Sequence, residues 1–297
     1  MRAVPTLEHA APRARLGALP PLAPLAAGAL VAALDLLFPA LCPVCRTPLG
    51  PGRRDPLCGP CWGGIARIEP PWCEACGLPL SAPRPVPVVA APAPPAGGGA
   101  GDGGAPERVS FRAEGVPPSP SASVLCGACE ARPPAYDWGR AAARYEGPLR
   151  EALHALKFGG RRALARPLAD LLVEQCGAAL PADAVVVPVP LGRDRERARG
   201  FNQAALIAGR AAKRLGLGLE RRWLARVRAT SPQSELAAAE RSANVRGAFR
   251  ASPEVRGRHV LLVDDVMTTG ATLAECARAV AAAGAARVGV LAVARVL

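Results

Sequence analysis

The run Val260-Leu-Leu-Val-Asp-Asp-Val-Met-Thr-Thr-Gly-Ala-Thr-Leu273 decides the fold. Its first four residues are apolar and mostly β-branched or leucine, as a strand buried on both faces requires. Two carboxylates, Asp264 and Asp265, stand at the expected strand end. A small loop, Thr268-Thr-Gly-Ala-Thr272, then opens a helix expected over 271–283. Backbone N–H groups at a helix start attract phosphate, and Thr268, Thr269 and Thr272 add hydroxyl donors. Gly270, followed by the small Ala271, lets the backbone approach a ligand oxygen closely. The two carboxylates can accept hydrogen bonds from ribose hydroxyls or hold hydrated Mg²⁺. Two aspartates in a solvated turn, or a threonine pair capping a helix, would be ordinary alone. Their position between a buried strand and a helix makes them a candidate nucleotide or sugar-phosphate site.

Outward from this run the chain alternates strands and helices. Residues 141–145, 184–189 and 288–293 read as further strands, while 148–158, 162–176 and 201–215 read as helices. Pro148 sits near the first turn of its helix, and Pro167 should delay the start of the next by a few residues. Gly177 and Gly216 fall where two of these helices should stop. Strand–helix alternation of this length predicts an α/β fold with a parallel sheet and flanking helices. Cys276 shares a helical face with Leu273, Ala277 and Val280, so it and Cys176 are expected in the core. His9, His154 and His259 have no partner pattern that suggests catalysis.

The other eight cysteines form four pairs of one spacing: Cys42/Cys45, Cys58/Cys61, Cys73/Cys76 and Cys126/Cys129. A Cys-x-x-Cys turn presents two thiolates to one ion, and zinc favours four in a tetrahedron. Two structural zinc sites are therefore expected. Sequential pairing groups Cys42, Cys45, Cys58 and Cys61, then Cys73, Cys76, Cys126 and Cys129; cross-braced pairing is the alternative. An iron–sulfur cluster also takes four cysteines, but paired ribbons suit zinc better. With every thiolate consumed, neither site is expected to be catalytic. Metal should supply the folding energy of this irregular segment, which is expected to unfold separately from the α/β domain on metal loss.

Composition sets outer bounds. Mean hydropathy of +0.16 and a half-hydrophobic chain exclude wholesale disorder. The net charge is +13, and all but Lys157 and Lys213 of the 37 basic residues are arginine. Residues 193–258 hold 16 basic against 6 acidic residues, so most of the excess falls there. Arginine forks suit phosphate, whether on a nucleotide or on nucleic acid. Only 11 aromatic residues make an extended base-stacking surface unexpected. Residues 81–123, with ten prolines and seven glycines, read as a disordered insertion looping out of the cysteine-rich segment. Residues 1–24 read as a frayed leader. Arg13 and Arg15 before the apolar stretch 16–34 imitate a signal peptide, but Pro20, Pro21 and Pro24 break it. The stretch 25–38 contains Asp35 and is too short to span a bilayer; a helix over 28–37 packed on the body is expected instead. Reducing-compartment cysteine use and no span point to the cytoplasm.

The run 260–273 resembles the PRPP-binding motif of type I phosphoribosyltransferases. The order of further segments narrows the resemblance to the ComF family of competence-associated proteins. These are the cysteine pairs behind Leu36-Leu-Phe-Pro39, Ala155-Leu-Lys-Phe158, Val187-Pro-Val-Pro190, Arg199-Gly-Phe-Asn-Gln203, Thr230 with Gln233, and Arg241 to Phe249. The resemblance spans about residues 34–297. It implies a type I phosphoribosyltransferase-like sheet with a hood over residues 136–297, preceded over 25–135 by a double zinc ribbon module. It implies PRPP as ligand, with Mg²⁺, and contacts from Arg193, Arg199 and Gly200, with Lys157 near phosphate. The hood is placed at 226–249, with Arg228, Gln233, Arg241 and Asn244 as candidate contacts.

Three functions follow, in this order. The first is a PRPP-binding protein of DNA uptake and natural transformation that handles imported single-stranded DNA. The second is an active phosphoribosyltransferase on an unidentified acceptor. In it, arginine and Mg²⁺ stabilise departing diphosphate while the hood excludes water. The third is an interaction protein whose zinc ribbons dock a helicase or other DNA-processing partner. The intact Asp264, Asp265 and threonine loop argue against a relic site.

Overall fold

The computed structural model describes residues 40–50, 55–80, 124–177, 180–229 and 243–297. The expected leader, the 28–37 helix and the 81–123 insertion lie outside them.

Five strands form one sheet: β1 (Trp138–Arg144), β2 (Val185–Pro188), β3 (Gly218–Leu219), β6 (His259–Met267) and β7 (Arg287–Arg295). Their order is β1-β7-β6-β2-β3, and every pairing is parallel. The expected α/β class is what the chain adopts. Helix α3 (Gly147–Lys157) follows β1, and α4 (Ala165–Cys176) begins after a short 3₁₀ turn at Arg162–Leu164. Pro167 sits in the first turn of α4, where its missing N–H costs nothing, so the helix starts later than residue 162. Between β2 and β3 run α5 (Arg193–Arg199) and α6 (Gln203–Leu215), and α7 (Ala271–Ala282) joins β6 to β7. A two-stranded antiparallel ribbon, β4 (Leu224–Arg226) with β5 (Phe249–Ala251), stands apart from the main sheet.

Two local differences from the sequence reading matter for the site. The stretch after β2 is not all loop, because Arg193–Arg199 winds into a helix. Asp194 and Glu196 in its first turn and Arg197 and Arg199 in its last complement the helix dipole, and Gly200 ends it at φ 76°. Strand β6 also runs on through Met267, so Asp264 and Asp265 lie within it. Neighbouring residues of a strand face opposite sides. Even so, their carboxyl groups remain in hydrogen-bond contact with one another.

The sheet is covered on both faces. On one, Leu149, Leu153 and Leu156 of α3 and Leu168, Leu171 and Leu172 of α4 are fully buried against Leu261, Val263 and Val293. Each such leucine contributes about 2 kcal/mol by leaving water. On the other, Leu273, Cys276, Ala277 and Val280 of α7 pack on Val260, Leu262 and Val290. Both unpaired cysteines are core residues, as expected.

The cysteine-rich segment is built on these same cores. Cys42, Cys58 and Cys61 join the α3–α4 face, and Cys73, Cys76, Cys126 and Cys129 join the α7 face. Between them, Ala66 to Ile68 pair with the free edge of β1: Ile68 N–H donates to Ala142 at 3.0 Å, and Arg144 N–H to Ala66 at 2.8 Å. The segment thus wraps one edge of the sheet and reaches both sides. Apolar contacts therefore fasten it to the sheet from both sides.

Candidate functional site

The strand order places a switch point between β6 and β2. From β2 the chain crosses towards β3, and from β6 towards β7, so their following loops part at the carboxyl ends and leave a crevice. The loop after β2 is pinned there by Asn202. Its side-chain amide donates to Val189 O at 3.0 Å, while its Oδ1 accepts from the N–H groups of Ala204 and Ala205, capping α6. The loop after β6 turns at Gly270, whose φ of 79° favours glycine and which N-caps α7. Thr269 Oγ1 accepts from Ala271 N–H at 3.4 Å, and the Thr269 side chain faces solvent.

Three segments far apart in sequence meet at this crevice. Lys157, the last residue of α3, places Nζ 2.5 Å from Asp265 Oδ2. Gln203, at the start of α6, points its amide at Asp265 Oδ1 across a long 3.5 Å contact. Arg199 donates to Gln203 Oε1, and its guanidinium lies 5.4 Å from the ring centre of Phe158. Arg162 donates to Gly200 O at 3.0 Å and stacks 4.7 Å from the Phe201 ring centre. Gln203 and Asp265 are buried polar residues tied into this network.

The two carboxylates have opposite electrostatics. Burial pushes Asp264 well above the usual carboxylate range, and the charge of Asp265 adds to that. Burial acts on Asp265 too, but the Lys157 ammonium outweighs it with help from hydrogen bonds, so its net direction is downward. Asp264 Oδ1 also accepts the N–H of Asp265 at 2.8 Å. With Lys157 on one oxygen of Asp265 and Gln203 facing the other, the pair offers no two free carboxylates to a bare cation. Arg226 approaches from β4: it is half-buried, stacks 5.4 Å from the Phe249 ring centre, and burial followed by the charge of Arg195 lowers its pKa.

Of the residues expected at the site, Lys157, Arg199 and Asp265 form one network through Gln203, Gly200 follows Arg199 and is held by Arg162, and Asp264, Thr268, Thr269, Gly270, Ala271 and Thr272 lie on the adjoining strand, loop and first turn of α7. Arg193 is exposed on α5. Arg228 spans the neck of the expected hood, donating to Asn244 O at 2.9 Å and Arg246 O at 2.7 Å. Gln233 and Arg241 lie outside the described residues. Gln203 and Arg226 received no individual role from the sequence, although Gln203 closes the Arg199–Gln203 segment and Arg226 opens the hood.

The eight paired cysteines form two groups in the sequential arrangement, with sulfurs within 4.8 Å of one another in each. Four sulfurs around zinc at its usual bond length stand about 3.8 Å apart. Cys76 and Cys126 Sγ are 3.8 Å apart, and Cys45 and Cys58 Sγ 3.5 Å. The geometry fits zinc. The two sites repeat one design. In each, the first cysteine's N–H bonds five residues on, Cys42 to Thr47 and Cys73 to Leu78, and the residue after the second cysteine has positive φ. The other pair caps and enters a short helix, α1 (Gly59–Gly63) or α2 (Gly127–Ala131). One difference stands out: Cys45 is exposed, whereas all four cysteines of the second site are buried.

The second site touches the crevice loop through Arg295, at the end of β7. Its Nη1 donates to Cys76 O at 2.6 Å and lies 2.7 Å from Met267 Sδ, and Nη2 is 3.6 Å from Cys76 Sγ. Among the described residues no helix is long and apolar enough to cross a membrane.

Comparison with known proteins agrees with both parts. The family described as phosphoribosyl transferase domain matches residues 202–296, and that described as double zinc ribbon domain matches 33–90. The DNA utilization protein YhgH of Salmonella typhi is 32% identical over 267 residues, covering 88% of this chain and 100% of that protein. Its Escherichia coli K12 namesake is 31% identical over 269 residues with the same coverage. Competence protein F of Haemophilus influenzae is 33% identical over 161 residues, covering 52% of this chain and 70% of that protein. Among solved structures, glutamine PRPP amidotransferase from B. subtilis overlaps 43% of this chain and 25% of its own at 24% identity, with a TM-score of 0.30, too low to bear on the argument.

Proposed function

The chain belongs to the ComF/YhgH family, and on that premise we propose that it binds PRPP or a related phosphoribosyl ligand and couples it to the handling of single-stranded DNA. The observation that carries this reading is the meeting of Lys157, Arg199, Gln203 and Asp265 beside the Gly270 loop at the switch point. The phosphoribosyl end of the ligand takes the loop 268–272 and the Asp264–Asp265 strand end, with the diphosphate towards Arg199 and Gly200. Mg²⁺ enters as the counter-ion of the diphosphate, since Asp265 is already held by Lys157. Residues 226–249 act as the hood, with Arg228, Gln233, Arg241 and Asn244 as its contacts and neck. Residues 25–135 form the zinc-binding unit and 136–297 the ligand-binding one, in the cytoplasm, where a DNA-processing partner is docked by the zinc segment.

The names of the relatives, DNA utilization protein and competence protein, support the DNA half of the reading, as does the basic excess of residues 193–258. Turnover of PRPP onto an acceptor nitrogen is the second reading, favoured by the match to a phosphoribosyl transferase domain.

Calorimetric titration with PRPP, with and without Mg²⁺, tests the first reading. Binding is expected in the parent and lost in Asp264→Asn/Asp265→Asn. Equal binding by the double variant overturns it. Diphosphate release across a panel of bases decides between binding and turnover.

A further inference from the structure

We propose that Phe158 is a stacking platform for an unpaired nucleobase, placed beside the crevice so that base and phosphoribosyl group of one ligand are read together. The inference deepens the reading above and rests on it for the position of the sugar and phosphates.

Phe158 caps α3 directly after Lys157, and it is 73% exposed. It is the most exposed of the large apolar side chains among the described residues, and the one aromatic ring of that set. The two residues that follow, Gly159 and Gly160, bring no side chain to cover it. Gly160 turns at a φ of 63°, and a Cβ on Gly159 would come within 2.8 Å of Ala155 O, so the backbone leaves without a side chain to shield the ring.

The ring is held in orientation. His154, one turn earlier, meets it edge-on with centroids 5.5 Å apart at 61°. Arg199 lies against it at 5.4 Å while bonding to Gln203, the neighbour of Asp265. One guanidinium thus joins the exposed ring to the crevice network.

The surroundings select the ligand. An apolar protein surface laid on this ring would have to bury the charge of Arg199 and approach Arg161 and Arg162, both exposed. A nucleotide satisfies both features at once, its base on the ring and its phosphates on the guanidinium groups. A cleft lined by Cys42, Arg46, Glu151, His154, Gly159 and Arg161, with two guanidinium groups against one carboxylate, opens next to the ring towards the first cysteine cluster, where the next nucleotide of a strand would lie. The ligand is either a free nucleotide or a residue of a single strand, and the chemistry recognised is the same.

Fluorescence anisotropy with labelled oligo-dT, and with a strand of the same length whose central residues are abasic, tests this on the full zinc-loaded protein. Loss of one stacked base weakens binding about five- to a hundredfold, so Phe158→Ala is expected to weaken oligo-dT by that factor and the abasic strand little. Phe158→Trp is expected to retain affinity. Unchanged oligo-dT binding in Phe158→Ala overturns the proposal, as does an equal loss on the abasic strand. Thymidine monophosphate, titrated separately, distinguishes the sources: binding to it but not to the strand, lost in Phe158→Ala, assigns the platform to free nucleotides. Binding of neither by the parent overturns it. Parent titration with PRPP, which carries no base, decides the phosphoribosyl reading independently.

Discussion

Lys157 Nζ lies 2.5 Å from Asp265 Oδ2, and this one ion pair ties the first helix after β1 to the strand that opens the ligand loop. Asp265 is 4% exposed and the Lys157 side chain 18%, so the carboxylate has no water to fall back on and the ammonium little. Breaking such a pair from one side leaves the other charge uncompensated.

The first prediction is that the two adjacent aspartates respond oppositely to amidation. Asp265→Asn strands Lys157 and is expected to cost about 3 kcal/mol. Asp264→Asn removes a carboxylate whose ionised form burial and Asp265 disfavour, and is expected to raise Tm by a few degrees at neutral pH. Asp265 is held low, so its contribution is present above its unfolded value near 3.8 and is lost as pH falls through the folded value. Asp264 is held high, so its cost sets in above 3.8 and is complete above its folded value. Calorimetric melts of both variants from acid to neutral pH check the signs. A lower neutral Tm for Asp264→Asn contradicts the assignment.

Zinc should leave in two phases. About two ions per chain are expected, and the site with the exposed Cys45 should yield first to a chelator. The hydroxyl of Thr47 and then its backbone N–H hold the Cys45 thiol down to about 6, so in metal-free protein it should also alkylate first. Chromogenic zinc release, with mass spectrometry of the alkylated cysteines, reports both. Earlier modification of the second site would run against the burial pattern.

Arg295→Met should speed metal loss from the second site and leave the first unaffected. The variant keeps bulk between Met267 and Cys76 but removes the donors to Cys76 O and Sγ. Weakening such a support typically costs ten- to a hundredfold in metal affinity. The same release assay, read phase by phase, separates this from general destabilisation, which would speed both phases.

Asn202→Ala should lower stability by about 1 kcal/mol, the usual cost of losing an N-cap. Ligand binding should weaken more than that, because Asn202 fixes the turn that aims Arg199 and Gln203 at Asp265. Asn202→Asp keeps the cap but not the donor to Val189 O. It is expected to recover stability without recovering affinity, as read by melting and PRPP titration side by side.

Much of this was legible in the sequence because the signals were local. The apolar run before Asp264, Gly216 at the end of α6 and the cysteine spacing each act within a few residues, and each predicted its element to within a few positions. The sequential zinc pairing was one of two open alternatives, and the fold chose it. What was missed depends on pairing across the chain. Nothing near Asp265 announces Lys157, and the position of both aspartates inside the strand follows from β6 running four residues beyond its apolar run. Helix α5 escaped notice because its residues are almost all charged, with no apolar face to reveal a period; its caps and dipole charges were the available signal. The docking of the zinc segment along β1 has no sequence signature, since backbone groups make it.

Strand β7 occupies the second position in the sheet, between β1 and β6, yet it follows both in the chain. Without β7, the pair β6–β2 and the strand β1 with its cysteine-rich border have no contact through the sheet. Two open strand edges wait for one insert, and Arg295, which steadies the second zinc site, is the last residue of that insert. Loss of β7 from the sheet would therefore expose two unpaired edges at once, the form most prone to aggregate. The closing of the whole sheet hinges on this one strand.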